Sequence, residues 1–339
     1  MKIDAGIETN ALSAIPEVAR LAESLGFDGL WTSEAGHNPY LPLAVAAVHS
    51  HRIELGTAIA VSFARSPMVT AQVAWDLQAA SQGRFILGLG TQVKGHNERR
   101  FSVRWESPGP KLREVILSLR AIWDTFQNGT PLDFRGQFYQ FSLMTPFFSG
   151  GPIEHPRIPI YIAGVNEYMC RLAGELCDGF HVHPFHTTKY VQEFVKPLVA
   201  EGAAKAGRDP SQVALTSSIF VVAGKDEAER EPMRALVRNQ LSFYASTRTY
   251  AKILETHGWQ EIGERLSALS RSGGWADMPG LISDEMLREC TVEGTWDEIP
   301  ALVRQKYEGV LDRVSLYWPF VPGREPDAWW RRFVDVIHR

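Results

Sequence analysis

Eight short apolar runs alternate with amphipathic stretches along this chain, with glycine and polar residues gathered around their ends. Lys2–Ile7, Gly29–Thr32, Ile53–Ile59, Phe85–Gly90, Ile158–Ala163, Gly179–His183, Val213–Val222 and Arg313–Tyr317 read as strands. Between them, Ala14–Leu25, Leu41–His49, Pro67–Ala80, Pro110–Phe126, Glu167–Leu176 and Tyr190–Ala206 carry apolar residues at helical spacing, and Asp327–Ile337 closes the chain as a last helix. Strands that strictly alternate with helices pair in parallel. Eight such units favour a (β/α)8 barrel over a doubly wound sheet, and loops at the carboxyl ends of the strands then build the chemistry. An internal echo supports this count. Arg20–Leu30 and Arg171–Phe180 share the pattern Arg-Leu-Ala…Leu…Asp-Gly and lead into strands two and six, half a barrel apart.

The clearest unit is 53–92, a strand, a loop, the helix that Pro67 opens, and a second strand ending Leu87-Gly88-Leu89-Gly90. That Gly-Leu-Gly lacks the third glycine and the distal acid of a dinucleotide fingerprint. Two segments exceed a simple barrel. Residues 129–157 are dense in Pro, Gly and aromatics, and 227–295 hold extra helices, with Glu227–Leu254 and Trp259–Leu269 predicted as two of them. Loops of this length in a barrel are often functional, and Trp105, Tyr139, Phe147, Phe148, Phe243, Tyr244, Trp259 and Trp275 are candidates to line an apolar pocket as well as core residues.

Composition narrows the partners. A net charge of −4 over 339 residues gives no global attraction to nucleic acid or to anionic membranes. No uncharged run approaches the ~18–20 residues that span a bilayer, and no export signal is visible at Met1–Asp4, so a cytoplasmic protein acting on a small molecule is expected. Cys170, Cys177 and Cys290 have neither metal-ligand spacing nor even pairing, and are read as reduced packing residues. His181 and His183 share one face at the end of strand six, where packing or substrate contact fits better than a metal site.

With the elements placed, Gly56-Thr57-Ala58-Ile59, Arg65-Ser66-Pro67, Gln72, Asp76-Leu77, Ser81-Gln82-Gly83-Arg84-Phe85 and Leu87-Gly88-Leu89-Gly90 stand in an order and spacing that resembles the bacterial-luciferase-like superfamily. Within it the chain is most similar to the F420-dependent oxidoreductases, over nearly its whole length. The resemblance implies a TIM barrel forming one domain over 1–339. It also implies the deazaflavin coenzyme F420 at the carboxyl-end face, and hydride transfer between its C5 and a small organic substrate. A flavin (FMN)-dependent monooxygenase of the same superfamily and a non-catalytic F420 carrier remain alternatives, and a homodimer follows by analogy alone.

Residue by residue, the resemblance implies a bulge in strand three with a cis peptide bond at Ala58–Ile59 backing the ring, and cofactor contacts from Glu34, Thr57, Ala58, Ile59, Gln92, His96, Asn97, Ala163, Gly164 and Val165. The last three sit where a helix N-terminus suits a phosphate. Catalytic candidates are Glu34, His37 and His96. The chain departs from the family at Ala35, where many members carry His, and at Gln92-Val93-Lys94, where many carry a carboxylate. His37 is the substitute for the first, since its pKa is ordinarily near neutral. Arg65, Lys94, Arg99, Arg100 and Arg104 form a basic concentration that would meet an anionic coenzyme tail.

Overall fold

A computed structural model describes residues 1–7 and 11–339. In it the apolar runs close into a barrel of eight parallel strands: β1 Lys2–Ile7, β2 Gly29–Thr32, β3 Glu54–Thr57 continued by Ala60–Val61, β4 Phe85–Gly90, β5 Ile160–Gly164, β6 Gly179–Val182, β7 Ala214–Ala223 and β8 Arg313–Leu316. Each strand pairs with the next, and β8 pairs back onto β1 through Lys2 opposite Arg313 and Ile3 opposite Val314. Closure removes every free edge, and the helices lie outside it. The amphipathic helix Ile15–Leu25 buries Ile15, Ala19, Ala22 and Leu25 and stops at Gly26 in the left-handed conformation (φ 94°). Ser66 caps Pro67–Ala80, and Asn166 caps Glu167–Leu176.

Strand β3 does not run evenly. Leu55 and Gly56 pair with Phe85 and Ile86, whereas Ala60 and Val61 pair with Leu89 and Gly90. Three residues of β3 (57, 58 and 59) thus oppose two of β4 (87 and 88), which is a bulge of one residue. The peptide bond between Ala58 and Ile59 is cis. Thr57 bridges the break: its hydroxyl accepts from the Gly88 N–H at 2.9 Å and donates to the Gly88 carbonyl at 2.7 Å. Only glycine fits at 88, because a Cβ there would lie 1.7 Å from the Thr57 carbonyl oxygen.

The amino end of the barrel is plugged. Arg313 donates to both carboxylate oxygens of Asp4 (2.8 and 2.7 Å) and to Glu54, and the Trp31 ring lies 5.2 Å above its guanidinium. Trp31 fits because Gly56 faces it; a Cβ at 56 would fall 2.2 Å from the indole. Access is therefore from the carboxyl end alone.

The two additional segments differ in use. Residues 129–157 run outside the barrel with a small hairpin, Phe134–Arg135 with Gln140–Phe141, and leave Phe147 and Phe148 89% and 67% exposed. The second segment sits over the mouth. The helix expected over Glu227–Leu254 ends at Ala245, and Arg248–Tyr250 and Ala251–His257 follow as separate turns. A strand not expected from the sequence, Thr291–Gly294, pairs with the upper half of β7, Phe220–Ala223. Cys170, Cys177 and Cys290 are buried, which pushes each thiol up to about 12. Among the described residues no helix is long and apolar enough to cross a membrane.

Candidate active site

The carboxyl end of the barrel opens into a cavity of about 570 Å³. Another surface depression is lined by Arg234 and Arg238, which are already ion-paired to Glu231, Glu293 and Asp284. The mouth cavity touches the ends of all eight strands. Ala58 and Ile59 of the bulge form one wall. β7, four strands away and therefore opposite, presents Thr216, Ser217 and Ser218, and β8 presents Ser315, Leu316 and Tyr317. Gly6 of β1 opens a further notch: a Cβ there would meet nothing within 4 Å.

Of the residues expected to hold a cofactor, Ala58, Ile59, Gln92, Ala163, Gly164 and Val165 line this cavity. Gln92 sits on the lip with φ 56°, a left-handed conformation uncommon outside glycine. The turn is held by Asn97, whose amide donates to the carbonyls of Thr91 (2.9 Å) and Val93 (3.1 Å). Asn97 is fully buried and is not among the lining residues. Thr57 is likewise behind the wall, its hydroxyl used by Gly88.

The expected acid–base residues fall elsewhere. Glu34 is buried, but its carboxylate takes two bonds from Arg65 (2.7 and 2.8 Å) and one from the Val61 N–H (2.7 Å), while its own N–H donates to the Ile59 carbonyl. Both oxygens are spent on bracing the bulge. His37 and His96 are exposed and outside the cavity lining, on the loop after β2 and the helix Lys94–Arg99. Arg65 is committed to Glu34, and Arg104 pairs with Glu106, so Lys94, Arg99 and Arg100 are the exposed cations nearest the lip. None of the eight aromatics singled out as pocket candidates is among the residues lining the cavity; Tyr139, Phe147 and Phe148 belong to the 129–157 segment outside the barrel.

The cavity is instead lined by groups that the spacing had left open. His183 ends β6: its Nδ1 accepts from the Phe185 N–H (3.1 Å), so in the neutral ring the proton is on Nε2, which donates to the Tyr250 hydroxyl at 3.0 Å. Burial and the neighbouring His186 lower the His183 pKa to about 3. His181, deeper in, packs edge-on to Trp31 at 5.3 Å and is also pushed down to about 3 by burial and then by Arg313. Its Nε2 is fully buried, without a hydrogen bond of regular geometry among the described residues. Tyr317 meets Tyr244 of the second inserted segment (Oη–Oη 2.8 Å), and Ser218 meets Ser315 (2.8 Å). Polar residues within otherwise apolar strands are the available signal for the serines; nothing in the spacing points to Tyr250.

Comparison with known proteins places this architecture. A family model described as luciferase-like monooxygenase matches residues 1–313. The chain belongs to that family. Among luciferase-like relatives, an uncharacterized protein of Mycobacterium tuberculosis (strain ATCC 25618 / H37Rv) is 45% identical over 314 residues, 93% of this chain and 92% of the relative. The 5,10-methylenetetrahydromethanopterin reductase of Methanolobus tindarius is 27% identical, covering 94% of each chain. The coenzyme F420 dependent tetrahydromethanopterin reductase from Methanopyrus kandleri shares the luciferase-like fold, with a TM-score of 0.77 at 20% identity over 99% of this chain and 97% of that one.

Proposed function

We propose that this protein is an F420-dependent oxidoreductase that uses the mouth cavity for both coenzyme and substrate. The supporting observation is the donor set of the cavity. Among the described residues it contains hydroxyls, backbone groups, amide and neutral imidazole, a wall formed by Ala58 and Ile59, and no Asp, Glu, Lys or Arg. A flat, uncharged heterocycle with hydrogen-bonding edges fits that set, and the Gly6 notch gives it room. Relatives named for methylenetetrahydromethanopterin reduction and F420 dependence support the same assignment.

When bound, the deazaflavin supplies hydride transfer at its C5. The chain supplies the rest. Glu34, Arg65 and Thr57 fix the bulge on which Ala58 and Ile59 form the platform. Ala163–Val165, at the start of the Asn166-capped helix, offers N–H groups to a phosphate. Lys94, Arg99 and Arg100 at the lip suit an anionic tail. Titration of the purified protein with F420, and separately with FMN, tests the reading. Saturable F420 binding that FMN does not displace supports it, and saturation by FMN with none by F420 assigns the cavity to the flavin monooxygenase alternative.

A further inference from the structure

The chemistry of the substrate can be read from the wall opposite the bulge. Resting on the deazaflavin reading above, we propose that the substrate's reacting end is an uncharged carbonyl–alcohol couple, and that the Tyr250 hydroxyl exchanges the proton with its oxygen under the direction of His183.

Three observations carry this. First, the absence of cationic side chains from the cavity leaves a carboxylate or phosphate at the reacting centre without a counter-charge. The undescribed residues, Glu8, Thr9 and Asn10, add no basic group. Burying an anion unpaired is costly, so the site selects against substrates charged at that end. Second, the hydrogen bonding of the His183–Tyr250 pair has a fixed polarity. The Phe185 N–H is an obligatory donor, which makes Nδ1 of His183 an acceptor and puts the ring proton on Nε2. Nε2 gives that proton to the Tyr250 oxygen, so the phenolic hydrogen is not used on His183 and has no other acceptor among the described residues. A half-buried hydroxyl that borders the cavity with its hydrogen unspent is a donor waiting for a ligand oxygen. Third, His183 directly follows β6, three strands round from the bulge, and β7 and β8 continue the same wall with hydroxyls. A substrate between platform and wall thus has its oxygen on the Tyr250 side.

The step balances. In the reductive direction the carbonyl carbon gains a hydride from the reduced coenzyme, and the C=O π pair moves onto oxygen. That oxygen takes the Tyr250 proton, and the phenolate left behind is held by the His183 Nε2–H until water reprotonates it. The reverse sequence oxidises an alcohol. Burial keeps the free phenol protonated by raising its pKa, as a proton donor requires. Tyr250 touches substrate and is catalytic; His183 is a positioning residue.

The test separates substrate from coenzyme. With F420 bound, calorimetry compares isobutyramide with isobutyrate, which share a shape and differ in charge. The amide is expected to bind and the carboxylate to bind at least about tenfold more weakly. Reduced F420 is then mixed with 2-butanone, cyclohexanone and 2-oxobutanoate, and only the neutral ketones are expected to oxidise it. Tyr250→Phe should slow that oxidation at least about 100-fold, weaken isobutyramide several-fold, about fivefold, and leave F420 affinity within twofold. His183→Ala should lower the rate, with His183→Gln restoring part of it through its amide N–H. Equal binding of isobutyrate, preferential reaction of 2-oxobutanoate, a wild-type rate in Tyr250→Phe, or no reaction with any neutral ketone overturns the proposal. Because F420 binding is measured first in each sample, these failures are distinct from failure of the coenzyme reading.

Discussion

At the scale of single residues, the side chains that make the site are not those that advertise it in sequence. Glu34 looks like an acid at a barrel mouth, yet Arg65 and the Val61 N–H consume its carboxylate. Glu34→Gln should therefore cost about 3 kcal/mol in urea unfolding, the usual penalty for leaving a buried partner unpaired, and lose coenzyme affinity through a loosened bulge. The three histidines near the cavity carry a second prediction. Burial holds His181 and His183 at about 3 and His186 at about 4, far below the unfolded value. A depressed histidine pKa means that the unfolded chain takes up protons first as pH falls. Stability present at pH 7 is then lost below about 6.5, by about 1–2 kcal/mol per histidine at pH 5. Urea midpoints at the two pH values measure the slope, and His186→Gln, away from the cavity lining, should flatten it by one histidine's share. His37 and His96 entered by their position relative to the family's motifs and sit in solvent; no residue-level signal separates an exposed loop histidine from a buried one before burial is known.

Elements were far more legible than side chains. Lys2–Ile7, Gly29–Thr32, Phe85–Gly90, Pro67–Ala80 and Glu167–Leu176 have the bounds expected from periodicity, and in all but the first a glycine, a proline or a cap marks one end. The bulge is different. Apolar periodicity does not report it, and the expectation of a bulge comes from the family resemblance; Gly88 of β4 is what lets the Thr57 carbonyl approach. Gly88→Ala should disrupt the pairing of β3 with β4 and cost at least about 3 kcal/mol. Thr57→Val, which keeps the shape but strands the Gly88 N–H and carbonyl, should cost about 2 kcal/mol. Denaturant curves on both variants check the order. The 227–295 segment is helical in part, as its spacing predicts, but the turn at Arg248–Tyr250 and the strand at Thr291–Gly294 leave no signal in that spacing, since the strand pairs beside the upper part of β7 and has no place in an eightfold repeat. That turn is what brings Tyr250 to the mouth.

Over the whole molecule, one end of the barrel is sealed by the Asp4–Arg313 pair beneath Trp31, and the other is a hydroxyl-lined chamber with a bulged wall and, among the described residues, no charged side chain. With a plugged base and an open carboxyl end, the chamber is where the proposed coenzyme and substrate would meet, and the exposed cations Lys94, Arg99 and Arg100 lie near its lip, outside the lining. F420 affinity should therefore fall with added salt and on Arg99→Glu, Arg100→Glu reversal, since surface charges are screened, while affinity for the ring portion alone stays constant. Binding isotherms at two ionic strengths separate these terms. The most direct measurement is a crystal structure with F420 bound. The account predicts the deazaflavin ring against Ala58 and Ile59, with Tyr250 across the chamber and the tail leaving past residues 94–100. A ring seated anywhere else, or a coenzyme found outside the barrel mouth, contradicts it.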